Sequence, residues 1–517
     1  MTLKTVDLRT TNKFGKLFLD YIEGADQLEP FYGRFPDIEN LKAQIEAKKF
    51  SAERRKILCQ ALEDQYRNIT LTDQVGSNLK KLSETNTFTI TTGHQLNLFT
   101  GPLYVIYKIV TVINTCRHLA KRYPEYNFVP VYWMASEDHD FDEIDHFRFD
   151  SKTYKWETDQ SGAVGHFELS TIKDFVRSVP GVPDFFIEAY KASNLASAVR
   201  HYINHLFGAY GLIVINGDDR SLKSQFKEVA EDDLINHAAN DLVSRRTAEI
   251  NDLGYKTQVN SRDINLFYLA NGVRERIEKI DDGYEVLNTE LRFSRQEVLQ
   301  LLQSEPEKFS PNVILRPLYQ EMILPNIAYV GGPSEVAYWL QLKPVFEHYG
   351  EQFPALMPRN FAMIIPDHVH KKFEKTGLSI EDLFTEKHKL LADIAVSNVD
   401  HKVRLNGQVQ EVVDMFHRIR EQASIIDSTL TAHVEAQQAR TKYRLELIEK
   451  KFVRAEKRRQ AEKIGQVESV LDYLFPNGGL QERTDNFLNF YLEDPQFIDQ
   501  LITYFDPFNY RFYVVNG

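Results

Sequence analysis

Apolar residues along this chain fall into two textures. Short runs of β-formers alternate with longer amphipathic stretches from residue 87 onward. Phe88–Thr92 is followed by a helical pattern from Leu103 to about Arg122, and then by the run Phe128–Met134. Strand, helix, strand at this spacing predicts a parallel sheet with crossover helices. Leu212–Ile215, Ile327–Val330 and Ala362–Ile365 fit as further strands of the same plan, each flanked by Gly, Asp, Asn or Pro. Residues 1–86 read as mostly helical, a segment that packs on a core spanning 87–375.

Two stretches break the α/β rhythm. Asn265–Leu287 carries Asn271-Gly272 and Asp282-Gly283, strong hairpin signals, so a small antiparallel meander is expected there. A second is expected at Thr153–Leu169, which places insertions at about 150–210 and 255–310. Ser294 and Glu297 have the spacing of a capping box.

From Gln408 to Ile464 the chain has neither Gly nor Pro. Val409, Val412, Phe416, Ile419, Ala423, Ile426 and Leu430 recur at alternating three and four, an a/d seam. A seam needs a partner, either a second helix of the chain or another subunit. The region 376–465 is thus expected to be a helical coiled coil, and dimerisation through Val409–Leu430 follows if the partner is a second copy. The basic run Lys450–Arg459 reads as a solvated helix face. After Gly465 the pattern turns globular again, and the aromatic tail of 466–517 is expected to dock back on the core.

Length and charge narrow the classes. At 517 residues two or three structural units are expected. A net charge of −12 argues against bulk nucleic-acid binding. The only cysteines, Cys59 and Cys116, sit in helical patterns and read as reduced structural thiols. MTLKTVDLRTTNKFGKLF has no apolar signal core and no run approaches membrane length, so a cytoplasmic protein without membrane partners is expected.

Three loops carry candidate chemistry. The first, Gly93-His94-Gln95-Leu96-Asn97 to Gly101-Pro102, joins a strand to a helix. Such a junction can present backbone N–H groups and the helix dipole to an anion. His94 could hold a phosphoryl oxygen or act as acid or base, and Tyr104 and Lys108, four apart, share one helix face. The second, Ala135 to Glu143, crowds Glu137, Asp138, Asp140, Asp142 and Glu143 around His139. So many carboxylates call for a cation, which could be a metal, a substrate ammonium or protein Arg/Lys. The spacing matches no metal motif, and no metal is predicted. The third runs from Arg316 and Gln320 to Gly331-Gly332-Pro333-Ser334-Glu335 and Tyr338, a second strand, Gly-loop, helix junction that could complete a cleft at a switch point.

TTGHQLNLFTGPLYVIYK, PVYWMASEDHDFDEI, RPLYQEMILPNIAYVGGPSEVAYWLQL and LFPNGGLQER, in that order, resemble the signature blocks of the BshC family of bacillithiol-biosynthesis cysteine ligases. The resemblance implies a Rossmann-type α/β core similar to class I aminoacyl-tRNA synthetases, with connective-peptide insertions and a dimerising C-terminal coiled coil. It implies an amide-forming ligase that joins the cysteine carboxyl to the amine of glucosaminyl-malate, with the carboxylate activated through ATP as an acyl-adenylate or acyl-phosphate. His94 then carries over to the phosphate-meeting loop, and Glu137, Asp138 or Asp140 to the ammonium and its deprotonation. Gln95, Asn97, Tyr104, Lys108, His139, Arg316, Gln320, Gly331, Gly332, Ser334, Glu335 and Tyr338 follow as substrate-binding residues. The family's ADP site near the C-terminus points to Asn477, Gly478, Leu480, Gln481 and Arg483. The chain departs from the synthetases in having no KMSKS loop and GHQ in place of HIGH. The competing readings are a nucleotidyltransferase or metal-assisted hydrolase on the same cleft, and a non-catalytic coiled-coil scaffold.

Overall fold

A computed structural model describes residues 2–397, 404–459 and 461–516. The chain divides into two compact units. The larger comprises Lys13–Ala362 with Gln481–Tyr513, and the smaller Met1–Asn12, Met363–Leu480 and Val514–Gly517.

The larger unit is built on a five-stranded parallel sheet. Its elements are β1 (Thr87–His94), α1 (Tyr104–Arg122), β2 (Asn127–Met134), β3 (Ile213–Asn216), β4 (Asn326–Gly331), α2 (Pro333–Trp339) and β5 (Ala355–Pro358). The spatial order is β5-β4-β1-β2-β3. β1 pairs with β2 on one side, from Thr87 opposite Asn127 to His94 opposite Met134, and with β4 on the other. The chain therefore reverses direction of sheet growth at β1, and the crevice between the carboxyl ends of β1 and β4 is the switch point. The strands are buried on both faces. β2 is a nearly continuous apolar run, while β1 buries its threonines by hydrogen bonds to β4, from Thr91 to Asn326 at 2.8 Å and from Thr92 to the Val330 carbonyl at 2.7 Å. Ile90, Val112, Leu119, Ile327 and Met357 pack together at the centre.

The meander at 265–287 forms as expected, with strands Leu266–Ala270, Val273–Ile280 and Gly283–Val286 turning at Gly272 and Gly283. Phe309–Pro311 and Arg292–Phe293 extend it to five strands. Ser294 and Glu297 form the expected capping box. The second insertion differs. Its hairpin lies earlier, at His146–Phe149 and Lys152–Lys155, and Trp156 to Leu169 is irregular and 3₁₀.

Two strand assignments are corrected. Phe361–Ile365 is a strand, but it pairs in a separate three-stranded sheet, of order Thr2–Val6, Phe512–Asn516, Phe361–Ile365. The fifth strand of the parallel sheet is instead Ala355–Pro358, and the mostly helical stretch 1–86 opens with one short strand, Thr2–Val6.

In the smaller unit, Asn406–Ile426 and Leu430–Arg459 form an antiparallel helical hairpin. Arg420 reaches Glu435 at 3.1 Å, and the Leu405 amide donates to Glu449 at 3.0 Å. The seam's partner is thus a helix of the same chain. Ala423 is buried on it and Val409, Val412 and Phe416 are half-buried, while Ile419, Ile426 and Leu430 stay exposed. Gly465 lies inside a further helix, Ala461–Leu474, rather than ending the helical region. Among the described residues, no helix is long and apolar enough to cross a membrane.

Candidate active site

The loop after β1 is built from the inside. Phe99 and Thr100 adopt left-handed backbone, at φ 50° and 70°, a conformation bulky and β-branched residues rarely take. It persists because tertiary partners hold it: the Phe99 amide donates to the Tyr190 hydroxyl at 2.9 Å, and Asn486 donates to the carbonyls of Phe99 and Gly101 at 2.8 and 2.7 Å. Gly101, at φ 65°, could not carry a side chain, since a Cβ there would meet Asn97 Cβ at 2.5 Å. The Leu103 amide is taken by the Asp485 carbonyl at 2.8 Å. The expected anion cradle on this loop is therefore closed, and Asn97, 5% exposed, is part of its packing. What reaches the crevice is His94, Gln95, Tyr104 and Lys108.

His94 Nε2 lies 2.9 Å from the Tyr104 hydroxyl, while its Nδ1 is buried with no hydrogen-bond partner among the described residues. Burial, with the Lys108 ammonium beside it, pushes the imidazole down to about 3. His94 is thus neutral at physiological pH. Burial likewise raises Tyr104 to about 12. Lys108 donates to the Gly93 carbonyl at 2.6 Å and pairs with Glu335 at 2.7 Å. The Glu335 carboxylate also accepts from the Tyr329 hydroxyl at 2.5 Å and the Gly332 amide at 2.9 Å. Burial opposes its charge, but Lys108 and these donors outweigh it and hold the carboxyl below its ordinary value.

Arg316 stands over the faces of Trp133 and Tyr329, 5.7 and 5.8 Å from their centroids. It donates to Gln320 Oε1 at 3.1 Å and meets no carboxylate within ion-pair distance among the described residues. Burial works against its charge, and the neighbouring Tyr338, Tyr329 and Glu335 reverse that, leaving the guanidinium above its ordinary value. Gln320 is fully buried and donates to Glu321, itself paired with the buried Lys48. It is a strut behind Arg316, not a free ligand. Gly331 and Gly332 form the turn into α2, Tyr338 is half-buried beside Arg316, and Ser334 is exposed.

The acid-rich rim after β2 is joined to this crevice by Gln95, which donates to Asp138 at 2.9 Å and Glu143 at 2.7 Å. The cations the rim needs come from Lys223 and Arg274, side chains that stand outside all three candidate loops. Lys223, buried, pairs with Glu137 at 2.5 Å and with Asp218, beyond β3, at 2.9 Å. Arg274, from the meander, stands 3.9 Å from Asp138 and donates to His139 Nδ1 at 2.6 Å. His166 Nε2 donates to Asp218 at 2.6 Å. Asp140 is exposed, its amide turned onto Asp138 at 3.2 Å. No group of three or more His, Cys, Asp or Glu among the described residues is placed to hold a metal ion.

The C-terminal candidates separate. Gln481 and Arg483 belong to the larger unit, where Arg483 is exposed and its charge acts on Tyr104. Asn477, Gly478 and Leu480 belong to the smaller unit. Between Gln481 and Arg483 in the larger unit stands Glu482, fully buried, which pairs with Arg359 at 2.6 Å and accepts the Ala362 amide at 3.0 Å. Arg359 in turn lies 5.2 Å from the Tyr104 ring, so this stretch of LFPNGGLQER braces the crevice.

A Rossmann-like sheet with charged side chains gathered at its switch point, followed by a helical hairpin, defines an α/β enzyme class with an appended coiled coil. The family models agree. Residues 1–360 match "Bacillithiol biosynthesis BshC, N-terminal Rossmann-like domain" and residues 362–516 match "Bacillithiol biosynthesis BshC, C-terminal coiled-coil domain". The chain belongs to the BshC family. Curated relatives named "Putative cysteine ligase BshC" include that of Cytophaga hutchinsonii, 39% identical over 98% of this chain and 97% of that one. Those of Flavobacterium psychrophilum, 41% over 95% of each, and Christiangramia forsetii, 40% over 100% and 99%, are similar. Among solved structures, one described as a putative arginyl-tRNA synthetase from Campylobacter jejuni overlaps 88% of this chain and 95% of that one at 11% identity. Its TM-score is 0.20, a value that says nothing of function.

Proposed function

We propose that this chain is the cysteine ligase of bacillithiol synthesis, forming an amide between the carboxyl of cysteine and the amine of glucosaminyl-malate. The observation that carries the reading is the single crevice in which Gln95 ties the His94 loop to the Glu137–Asp138 rim. One side offers groups suited to an anion: among the described residues, Arg316 has no carboxylate partner, and Nδ1 of His94 and Nε of Arg359 take no hydrogen bond. These fit a carboxylate or phosphate. ATP, when bound, would supply the leaving group that a free carboxylate lacks in water. The other side offers carboxylates suited to an ammonium. His94, held neutral, serves as a hydrogen-bonding group rather than a cation. A soluble cytoplasmic homodimer completes the reading, with the apolar residues the hairpin leaves exposed, among them Met415, Ile419 and Phe452, covered by a second copy.

Purified chain incubated with cysteine, glucosaminyl-malate and ATP should yield a product heavier than the sugar partner by cysteine less water, read by mass spectrometry. No product with any nucleotide, the sugar partner having been verified, overturns the ligase. Nucleotide hydrolysis without cysteine favours the hydrolase, and cellular function surviving His94→Ala and Asp140→Ala favours the scaffold. Ile419→Asp with Phe452→Asp, both exposed on the hairpin, should give monomer on a sizing column, and an unchanged dimer refutes that interface.

A further inference from the structure

We propose that His166, oriented by Asp218, is the base that takes the proton from the acceptor's ammonium; this rests on the ligase reading above. No motif pointed to it, because its three partners come from two segments remote from it in sequence, one after β2 and one after β3. Glu137 follows β2, Asp218 follows β3, and Lys223 ends the helical turn Arg220–Lys223.

The geometry is that of a carboxylate-held imidazole. Asp218 Oδ2 accepts from His166 Nε2 at 2.6 Å, which fixes the proton on Nε2 and leaves the lone pair on Nδ1. Nδ1 takes none of the described hydrogen bonds, and the side chain is about half exposed, 48%, so a ligand can reach it. Asp218 itself is 8% exposed and cannot drift. The backbone pins the loop: the Val164 amide donates to the Asp138 carbonyl at 2.7 Å and the Gly165 amide to Ser136 at 2.8 Å. A Cβ on Gly165 would meet Ser136 Cβ at 2.5 Å, so only glycine brings His166 this close to the rim.

Charge supports the same assignment. The groups facing His166 are Asp218, Lys223 and Glu137. Two carboxylates and one ammonium leave this cluster at −1 while the imidazole is neutral, which favours a substrate ammonium nearby. Proton transfer then moves the positive charge from the substrate nitrogen to the imidazole, and the cluster becomes neutral. The Asp218 hydrogen bond accordingly holds His166 above its ordinary value. In the step, one N–H bond of the ammonium breaks and its proton goes to Nδ1. The electron pair stays on nitrogen and forms the bond to the carbon of the activated cysteine carboxyl. The bond from that carbon to the phosphate or adenylate oxygen supplied by ATP breaks, its electron pair leaving on that oxygen, and the nitrogen sheds its second proton to water as the amide forms. The proton held on His166 passes to water at the end of turnover.

The full-length chain is assayed with two acceptors, glucosaminyl-malate and hydroxylamine, whose nitrogen is already unprotonated at neutral pH. His166→Asn should lower the rate with glucosaminyl-malate about 100-fold, the scale of general base catalysis, and with hydroxylamine by less than about 5-fold. With the native enzyme kcat/KM for the sugar amine should fall as pH drops through the His166 pKa, and in Asp218→Asn that limb should move to lower pH. Equal losses with both acceptors, or a His166→Asn enzyme retaining more than half its rate with the sugar amine, overturn the base. A native enzyme inactive with both acceptors overturns the ligase reading instead. Thermal unfolding of His166→Asn, a half-exposed site, checks that the fold is intact.

Discussion

Both flanks of the crevice hold a lysine, carboxylates and a histidine, and they arrange them in opposite senses. Beside β4, Lys108 and one carboxylate, Glu335, are closed over, and His94 faces the ammonium rather than the acid. Beside β3, Lys223 is shared by two carboxylates, and His166 faces one of them directly. The same residue types therefore give a histidine fixed in its neutral form and a histidine that binds protons readily. What sets the outcome is burial at His94, reinforced by the Lys108 ammonium, against a direct hydrogen bond from a half-exposed imidazole to a carboxylate at His166.

The strongest way to break the comparison is to remove its cations. Lys223→Met leaves Glu137 and Asp218 facing each other without compensation. A destabilisation of ~3–5 kcal/mol is expected, as for other buried pairs broken on one side. Lys108→Met strands only Glu335 and should cost less, with Glu335→Gln in the same chain recovering part of the loss. Denaturant unfolding measures both. A Lys223→Met protein as stable as the native chain would show that the rim acids are not paired as described.

Next in size is a pH effect that isolates the role of the cation. Asp218 and Asp233 are both buried, but only Asp218 has a lysine. Although burial raises it, Lys223 and His166 win, and Asp218 falls to about 2. Asp233, which accepts from the Asn265 amide at 2.5 Å and side chain at 3.1 Å, is pushed by burial up to about 7. The signs differ. The folded-state pKa of Asp218 lies below the ordinary 3.8, so its contribution is present above pH 4 and lost as pH falls toward 2. That of Asp233 lies above 3.8, so the folded state holds the extra proton and stability declines as pH rises from 4 to 7. At ~1.4 kcal/mol per pKa unit the ceiling for Asp233 is about 4 kcal/mol. Asp233→Asn should flatten the 4-to-7 slope and leave the acid limb in place. A slope unchanged in that variant would assign it to another group.

Much of this frame was legible in the sequence. Phe88–Thr92, Phe128–Met134, Leu212–Ile215 and Ile327–Val330 are strands of one parallel sheet because a strand buried on both faces is built of apolar residues and β-formers such as threonine whose hydroxyls find partners. Phe361–Ile365 shows the limit of that reasoning. An apolar run says that a strand is buried, not which sheet buries it. Ala355–Pro358 escaped because four residues ending in proline make a weak run. His94, Tyr104, Lys108 and Glu335 were readable because each sits at a strand-to-helix junction. Lys223, Arg274 and His166 were not, since each acquires its role from a partner 50 or more residues away, as His166 does from Asp218 at a separation of 52. GLIVINGDD did carry a signal, acids just past a strand end, the pattern that marked the rim after β2.

A smaller structural change sharpens the contrast further. Gly165→Ala places a methyl against Ser136, and relief requires the Val164–His166 turn to lift from the rim. Overpacking of this kind costs ~1–3 kcal/mol. Because His166 rides on that turn, the variant should lose activity with the sugar amine beyond what its stability loss explains, and leave His94 untouched.

The least invasive measurement reads the two imidazoles themselves and alters nothing. With histidine ring carbons labelled and assigned by His94→Gln and His166→Asn, the His94 resonance should stay flat between pH 5 and 8, because burial and Lys108 hold it near 3. The His166 resonance should titrate, with a midpoint above the ordinary 6.5, because Asp218 bonds its protonated form. In Lys108→Met the loss of the neighbouring ammonium should move His94 upward, while burial still keeps it below 6.5. A His94 that titrates normally in the native chain would mean that water reaches Nδ1, and the division of the crevice into a closed neutral flank and an open proton-binding one would fall.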